Sequence, residues 1–121
     1  MSTINVQPSR GSLLQGTLDL LILRILALGS HHGHGIAMAS QARSGDSLLV
    51  DHGSLYPALQ RLESRGWISG ARGTSDNRRR ARFSSLTPAG RRQFAVERGR
   101  WNRLVESIAR VMEPNPTPEK A

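Results

Sequence analysis

The stretch LLQGTLDLLILRILALG, residues 13–29, most limits the folds open to this chain. Leu18, Leu21, Ile22, Ile25 and Leu28 fall on one helical stripe, while Leu20, Leu23 and Leu26 fill much of the other side. A helix that is apolar most of the way round must be covered on more than one face. A chain of 121 residues makes one domain with a modest core and can barely supply that cover alone. A second copy could supply the rest. Gly29 is a C-terminal stop for the helix.

Charge limits the partners. Sixteen arginines and one lysine against nine acids leave a formal charge of +8, and the surplus is uneven. Residues 1–60 balance, whereas residues 61–110 carry thirteen arginines against Glu63, Asp76, Glu97 and Glu106. Like charges this dense destabilise a compact chain unless a polyanion offsets them. The densest part is SDNRRRARF, residues 75–83, with Arg78, Arg79, Arg80 and Arg82.

The remaining segments are short. HGIAMASQARSG is a helix of two to three turns closed by Gly45, and SLLV, residues 47–50, is a brief strand. For SLYPALQRLESRGWI, residues 54–68, Asp51 three positions upstream and Ser54 itself are alternative N-caps. With Ser54 as the cap, Pro57 stands at the third helical position, where its missing N–H costs no hydrogen bond. Leu55, Leu59 and Leu62 line one face, and Tyr56, Pro57, Gln60, Arg61 and Ser64 the other. Gly66 closes this helix, with Trp67 or Ile68 folding back on the last turn.

WISGAR and RARFSSL form a hairpin around GTSDNRR, whose Gly, Ser, Asp and Asn are turn formers. Strand alternation sets Ala81 and Phe83 on one face and Arg80 and Arg82 on the other. Thr87 as N-cap and Pro88 as first residue then start a long helix over residues 88–112. Phe94, Trp101, Leu104, Val105, Ile108, Val111 and Met112 recur along it at heptad-like spacing. At about 1.5 Å per residue it spans roughly 35 Å, which is long for so small a domain, so part of it packs on a partner.

Two short helices followed by a basic hairpin define a mainly α, winged helix-turn-helix fold with a two-stranded β wing. The helix from Ser54 is then the recognition helix. Gln60 can read adenine by paired hydrogen bonds, and Arg61 can reach guanine or phosphate. Ser54, Tyr56 and Pro57 lie near its start, within reach of phosphate or a thymine methyl. Asn77, Arg78, Arg79, Arg80 and Arg82 line the wing, along the DNA backbone or in the minor groove. Residues 1–11 are expected as a flexible arm, 12–87 as the DNA-binding domain, 88–112 as the dimerisation helix, and the proline-rich 113–121 as a disordered tail.

Three stretches carry a resemblance: LLQGTLDLLILRILALGSHHGHGIAMASQ, GSLYPALQRLESRGWI and GTSDNRRRARFSSLTPAGRRQF. Over residues 12–112 the chain resembles the PadR family of bacterial transcriptional regulators, most specifically in GSLYPAL with Arg61-Leu-Glu and in LTPAG after the wing. The resemblance implies a homodimeric repressor joined through its first and last helices, of the subfamily with a short C-terminal region. Leu14, Leu18, Leu21, Trp101, Leu104, Val105, Ile108 and Met112 would form that interface. Many members release DNA on binding a small, often planar aromatic effector, which makes Trp101 a candidate effector contact. Packing at the dimer seam is the simpler reading of Trp101. The chain departs from the family's HGYGI: it has HGHGI, with His34 in place of the tyrosine.

Other classes fare worse. His31, His32 and His34, with His52 nearby, could serve a metal-responsive regulator, but no cysteine joins them, and no metal or cofactor is expected. A basic module that docks on an acidic surface without reading DNA is the other alternative. No catalytic constellation stands out, so an enzyme is not expected. The apolar run is too short to span a bilayer and no signal pattern precedes it, so the expectation is a cytoplasmic protein without membrane partners.

Overall fold

The computed structural model describes residues 4–6, 12–74 and 80–114, with side chains described for 16–74 and 81–114. In chain order the elements are β1 (Ile4–Val6), α1 (Ser12–Leu28), β2 (His31–His32), α2 (Gly33–Arg43), β3 (Leu48–Val50), α3 (His52–Ser64), β4 (Ile68–Thr74), β5 (Arg80–Leu86) and α4 (Pro88–Met112).

The apolar first helix is the hub. Leu18, Ile22, Leu23, Ile25 and Leu26 are all at most 3% exposed. They pack with Ile36 and Ala37 of α2, Val50 of β3, Leu55, Ala58 and Leu62 of α3, and Ile68 of β4. Burying each large aliphatic side chain stabilises the fold by about 1.5–3 kcal/mol. The chain therefore covers more of α1 than the apolar pattern alone suggests. Leu18, expected at a dimer interface, lies inside the chain's own core at 2% exposure and is not available to a partner. Leu21 is partly buried against the same core. Leu14 lies on α1, but its side chain falls outside the described ones.

The sheet has the order β2-β5-β4 and is antiparallel throughout. β4 and β5 pair from Ile68↔Leu86 to Thr74↔Arg80, and β2 adds His31↔Ser84 and His32↔Phe83. The hairpin thus carries a third strand of two residues, too short to announce itself in the sequence. A second departure is at the N-terminus. Residues 1–11 read as a loose arm, yet Ile4–Val6 pair in parallel with Leu48–Val50. Two β-branched residues favour a strand, but the partner is distant in sequence and no local pattern points to it.

α3 settles the choice of cap. Asp51 is the N-cap: its Oδ1 accepts the Ser54 N–H at 2.8 Å. The helix therefore begins at His52, and Pro57 is its sixth residue rather than its third. Gly53 C=O consequently lacks its usual i+4 donor, a cost the Ser54-capped reading would have avoided. The far end closes with Gly66 at φ 74°, Gly66 N–H donating to Glu63 O and Trp67 N–H to Leu62 O. Those paired bonds are a Schellman stop, with Trp67 folded back as expected. The Arg65 guanidinium lies over the Trp67 ring, 5.1 Å from its centroid.

α4 is tied to that stop. Thr87 Oγ1 donates to Gly66 O at 2.7 Å, Thr87 N–H donates to Trp67 O at 3.0 Å, and Oγ1 also accepts the Gly90 N–H. From Trp101 onward every described residue of α4 is exposed. The helix thus leaves the domain after its first few turns, as its length led us to expect.

Candidate nucleic-acid interface

Helical periodicity divides α3 into two faces. Ser54, Leu55, Ala58 and Leu62 are buried, each at most 1% exposed. His52, Tyr56 and Gln60 recur every four residues on the opposite side, with Gly53, Pro57 and Ser64 beside them, all exposed. The buried face clamps α3 to α1 and α2, so the polar stripe stands on a rigid backing. That is the arrangement a helix needs to enter a groove without deforming.

Two residues expected on the stripe are elsewhere. Ser54 is 1% exposed, and its hydroxyl donates to Asp51 Oδ2 at 3.1 Å. It serves the cap and cannot contact DNA. Arg61 Nη2 donates to Asp19 Oδ1 at 2.6 Å, with side-chain exposures of 25% and 15%. Its guanidinium binds α3 to α1 instead of reaching a base. Nothing local in the sequence pairs positions so far apart.

Burial pushes the Asp19 carboxyl above its ordinary range; Arg61 pulls it down through charge and hydrogen bonding, Arg65 adds to that pull, and Glu97 works against it. The folded chain therefore holds this proton better than the unfolded chain does. The stability this linkage contributes is fully present below the unfolded value of about 3.9 and is lost as pH rises through the folded value. Denaturant unfolding of the parent and Asp19→Asn between pH 3 and 7 should show this component in the parent only; identical pH profiles would contradict it.

Tyr56 is half exposed and lies close over Gly33, where a Cβ would come 2.9 Å from Tyr56 Cε1. A side chain at Gly33 would therefore have to displace the Tyr56 ring. A line of rings runs from here across the front of the domain. His52 stacks on Tyr56 at 5.8 Å, His34 on His52 at 5.7 Å, and His32 on His34 at 6.3 Å, with Phe83 edge-on to His32. Sequence reasoning singled out the histidines but not this alignment, which needs β2, α2, α3 and β5 in place. Among the described residues, no three His, Cys, Asp or Glu side chains are placed to hold a metal ion. His31 Nδ1 is 2.7 Å from Gly29 O, and His32 Nδ1 accepts the Gly35 N–H at 2.8 Å as the cap of α2.

On the wing, Arg82 is exposed and directly opposite Arg72 of β4. Arg72 is exposed too and was not anticipated; only the strand register brings it beside Arg82. Like charges facing across a ladder repel, and Glu63 of α3 offsets part of this by ion pairing with Arg82. Arg80 belongs to β5, with its side chain outside the described ones, and Asn77, Arg78 and Arg79 lie outside the described residues.

A further pair of hollows lies beside α1, the first bounded by the C-terminal end of α3 and by α4, the second by α4. One, of about 210 Å³, is lined by Asp19, Arg61, Arg65, Trp67 and Glu97. The neighbouring one, of about 150 Å³, is lined by Leu20, Arg100, Trp101 and Leu104 among others. Trp101, Leu104, Val105, Ile108 and Met112 are each at least 41% exposed.

Three helices, a clamped α3 with a polar outer stripe, and a basic antiparallel hairpin define a winged helix-turn-helix protein. Residues 22–96 match the transcriptional regulator PadR-like family, and the chain belongs to it. An uncharacterised protein from Lysinibacillus sphaericus is 25% identical over 104 residues, covering 86% of this chain and 95% of that one. A transcriptional regulator from Clostridium thermocellum shares the fold with a TM-score of 0.76 at 22% identity, over 85% of this chain and all of that one. A PadR family transcription regulator from Clostridium difficile gives 0.66 at 26% identity, over 79% and 98%. The protein is thus a DNA-binding transcriptional regulator and not an enzyme. Among the described residues no helix is long and apolar enough to cross a membrane.

Proposed function

We propose that this chain is a homodimeric repressor, acting in the cytoplasm, that binds a pseudo-palindromic operator through paired α3 helices. The observation that carries this reading is the exposed stripe of Tyr56, Pro57 and Gln60, backed by buried Leu55, Ala58 and Leu62. Gln60 reads a base edge in the major groove, while Arg72, Arg82 and the wing-tip arginines hold phosphates or enter the minor groove. Trp101, Leu104, Val105, Ile108 and Met112 pair α4 with its copy, and Leu21 extends the contact on α1. The stripe on α4 supports this, since it is apolar, continuous and exposed in the single chain.

Release by a small planar aromatic effector is the finer part of the reading. Its support is Trp101, half exposed and bordering the hollow shared with Leu20 and Leu104. A metal-responsive regulator is less well supported, because the stacked imidazoles present faces rather than converging lone pairs.

Selecting bound duplexes from a random pool tests the proposal. A sequence-reading dimer enriches one palindrome strongly, whereas a basic docking module enriches none and loses nearly all affinity with added salt. With the selected duplex, Gln60→Ala should cost about 1–3 kcal/mol and relax one base position in each half-site. Arg72→Ala should weaken all duplexes alike and lower the salt slope by about one for each phosphate no longer neutralised. Indistinguishable profiles for the two variants would refute this division between reading and holding.

A further inference from the structure

The line of rings at the head of α3 has no part in base reading by Gln60 or in the grip of the wing arginines. His52, Tyr56 and Gln60 share one exposed stripe, so His52 lies on the face assigned to the groove. His34 is exposed as well and stacks on His52 with only 15° between the ring planes. The three histidines of the stack differ in what they can do. His32 Nδ1 accepts the Gly35 N–H as the cap of α2, so that nitrogen carries no proton. His34 and His52 spend their ring faces on neighbours and have exposed side chains on the outer surface.

Among the described residues, the groups facing this pair are His32 from β2 and Tyr56 from α3, with Phe83 from β5 behind His32. The nearest carboxylate in sequence, Asp51, accepts both the N–H and the hydroxyl of Ser54. Two imidazolium charges less than 6 Å apart repel each other, and a phosphate placed beside them offsets that repulsion.

We propose that His34 and His52 are contacts to the DNA backbone that engage as imidazolium, so that the operator is held more tightly as pH falls through the imidazole range. The inference rests on the DNA-binding reading and deepens it by making binding proton-linked. Each imidazole that carries a proton only in the complex adds up to about tenfold in affinity per pH unit. The sign is fixed: protons are taken up on binding, so affinity is gained on acidification and lost as pH rises.

The test uses the full chain and the duplex it selects from a random pool, at constant ionic strength. Binding by the parent should tighten about tenfold or more between pH 7.5 and 5.5, while His34→Gln/His52→Gln stays within about twofold. Equal pH dependence in the two proteins overturns the proposal. Should the double variant fail to fold, as judged by circular dichroism, NMR titration of the parent's imidazole Cε1–H signals decides. Midpoints for His34 and His52 that rise when the duplex is added support the contact; unmoved midpoints overturn it. If no duplex is selected at any pH, the DNA-binding reading fails and takes this inference with it. Selection without pH dependence removes the inference alone.

Discussion

Gly90→Ala is expected to destabilise the folded chain by about 2–4 kcal/mol, a large share of a small domain's stability. A Cβ at this position would sit 1.9 Å from Trp67 O and 2.8 Å from Leu86 Cδ1. The obstructing atom is backbone, held by the Schellman stop of α3 and by the Thr87 N–H, so it cannot yield cheaply. The LTPAG motif thereby acquires a physical meaning. Thr87 caps α4 and reaches Gly66, Pro88 starts the helix, and Gly90 lets α4 lie against the turn that ends α3. Gly99→Ala is the control: it stands in the same helix, its nearest new contact is the end of Arg103 at 3.4 Å, and the change should stabilise by up to about 1 kcal/mol. Urea unfolding of both variants checks the pair; equal effects would show that Gly90 is not a close-approach site.

Leu104→Asp should convert the proposed dimer to monomers and remove most operator affinity. Leu104 is 41% exposed, so a single chain tolerates the change and its helix content should persist. In a two-fold interface the substitution appears twice, and each copy places a charge against an apolar surface. Each monomer would then offer only one α3, forfeiting the gain from binding two half-sites together. Light scattering should report half the parent mass at micromolar concentration. An intact dimer of undiminished strength would exclude this part of α4 from the interface.

Legibility followed the range of the interaction. The N-cap at Thr87, the stop at Gly66, the two faces of α3 and the overlong α4 all rest on signals within a few residues, and these could be read directly. The winged helix-turn-helix followed from their order. What escaped depends on contacts between distant segments. Arg61 carries a groove-reading side chain by type, yet tertiary packing turns it onto Asp19. Ser54 and Asp51 are equivalent caps on paper, and the choice of Asp51 both buries Ser54 and moves Pro57 deeper into the helix. Leu18 belongs to the same apolar run as Leu20, but the fold gives one to the core and leaves the other beside Trp101. Arg72 became visible only with the strand register, and the ring stack only with four elements assembled.

In the proposed dimer α3 presents its outer stripe to a major groove twice, once from each copy. Hydroxyl-radical and guanine-methylation footprinting on the selected duplex measures this directly. Two protected major-groove segments related by a two-fold axis are expected, one helical turn (roughly 34–36 Å) or a multiple apart. A single asymmetric patch, with no two-fold axis relating two protected segments, would contradict this arrangement.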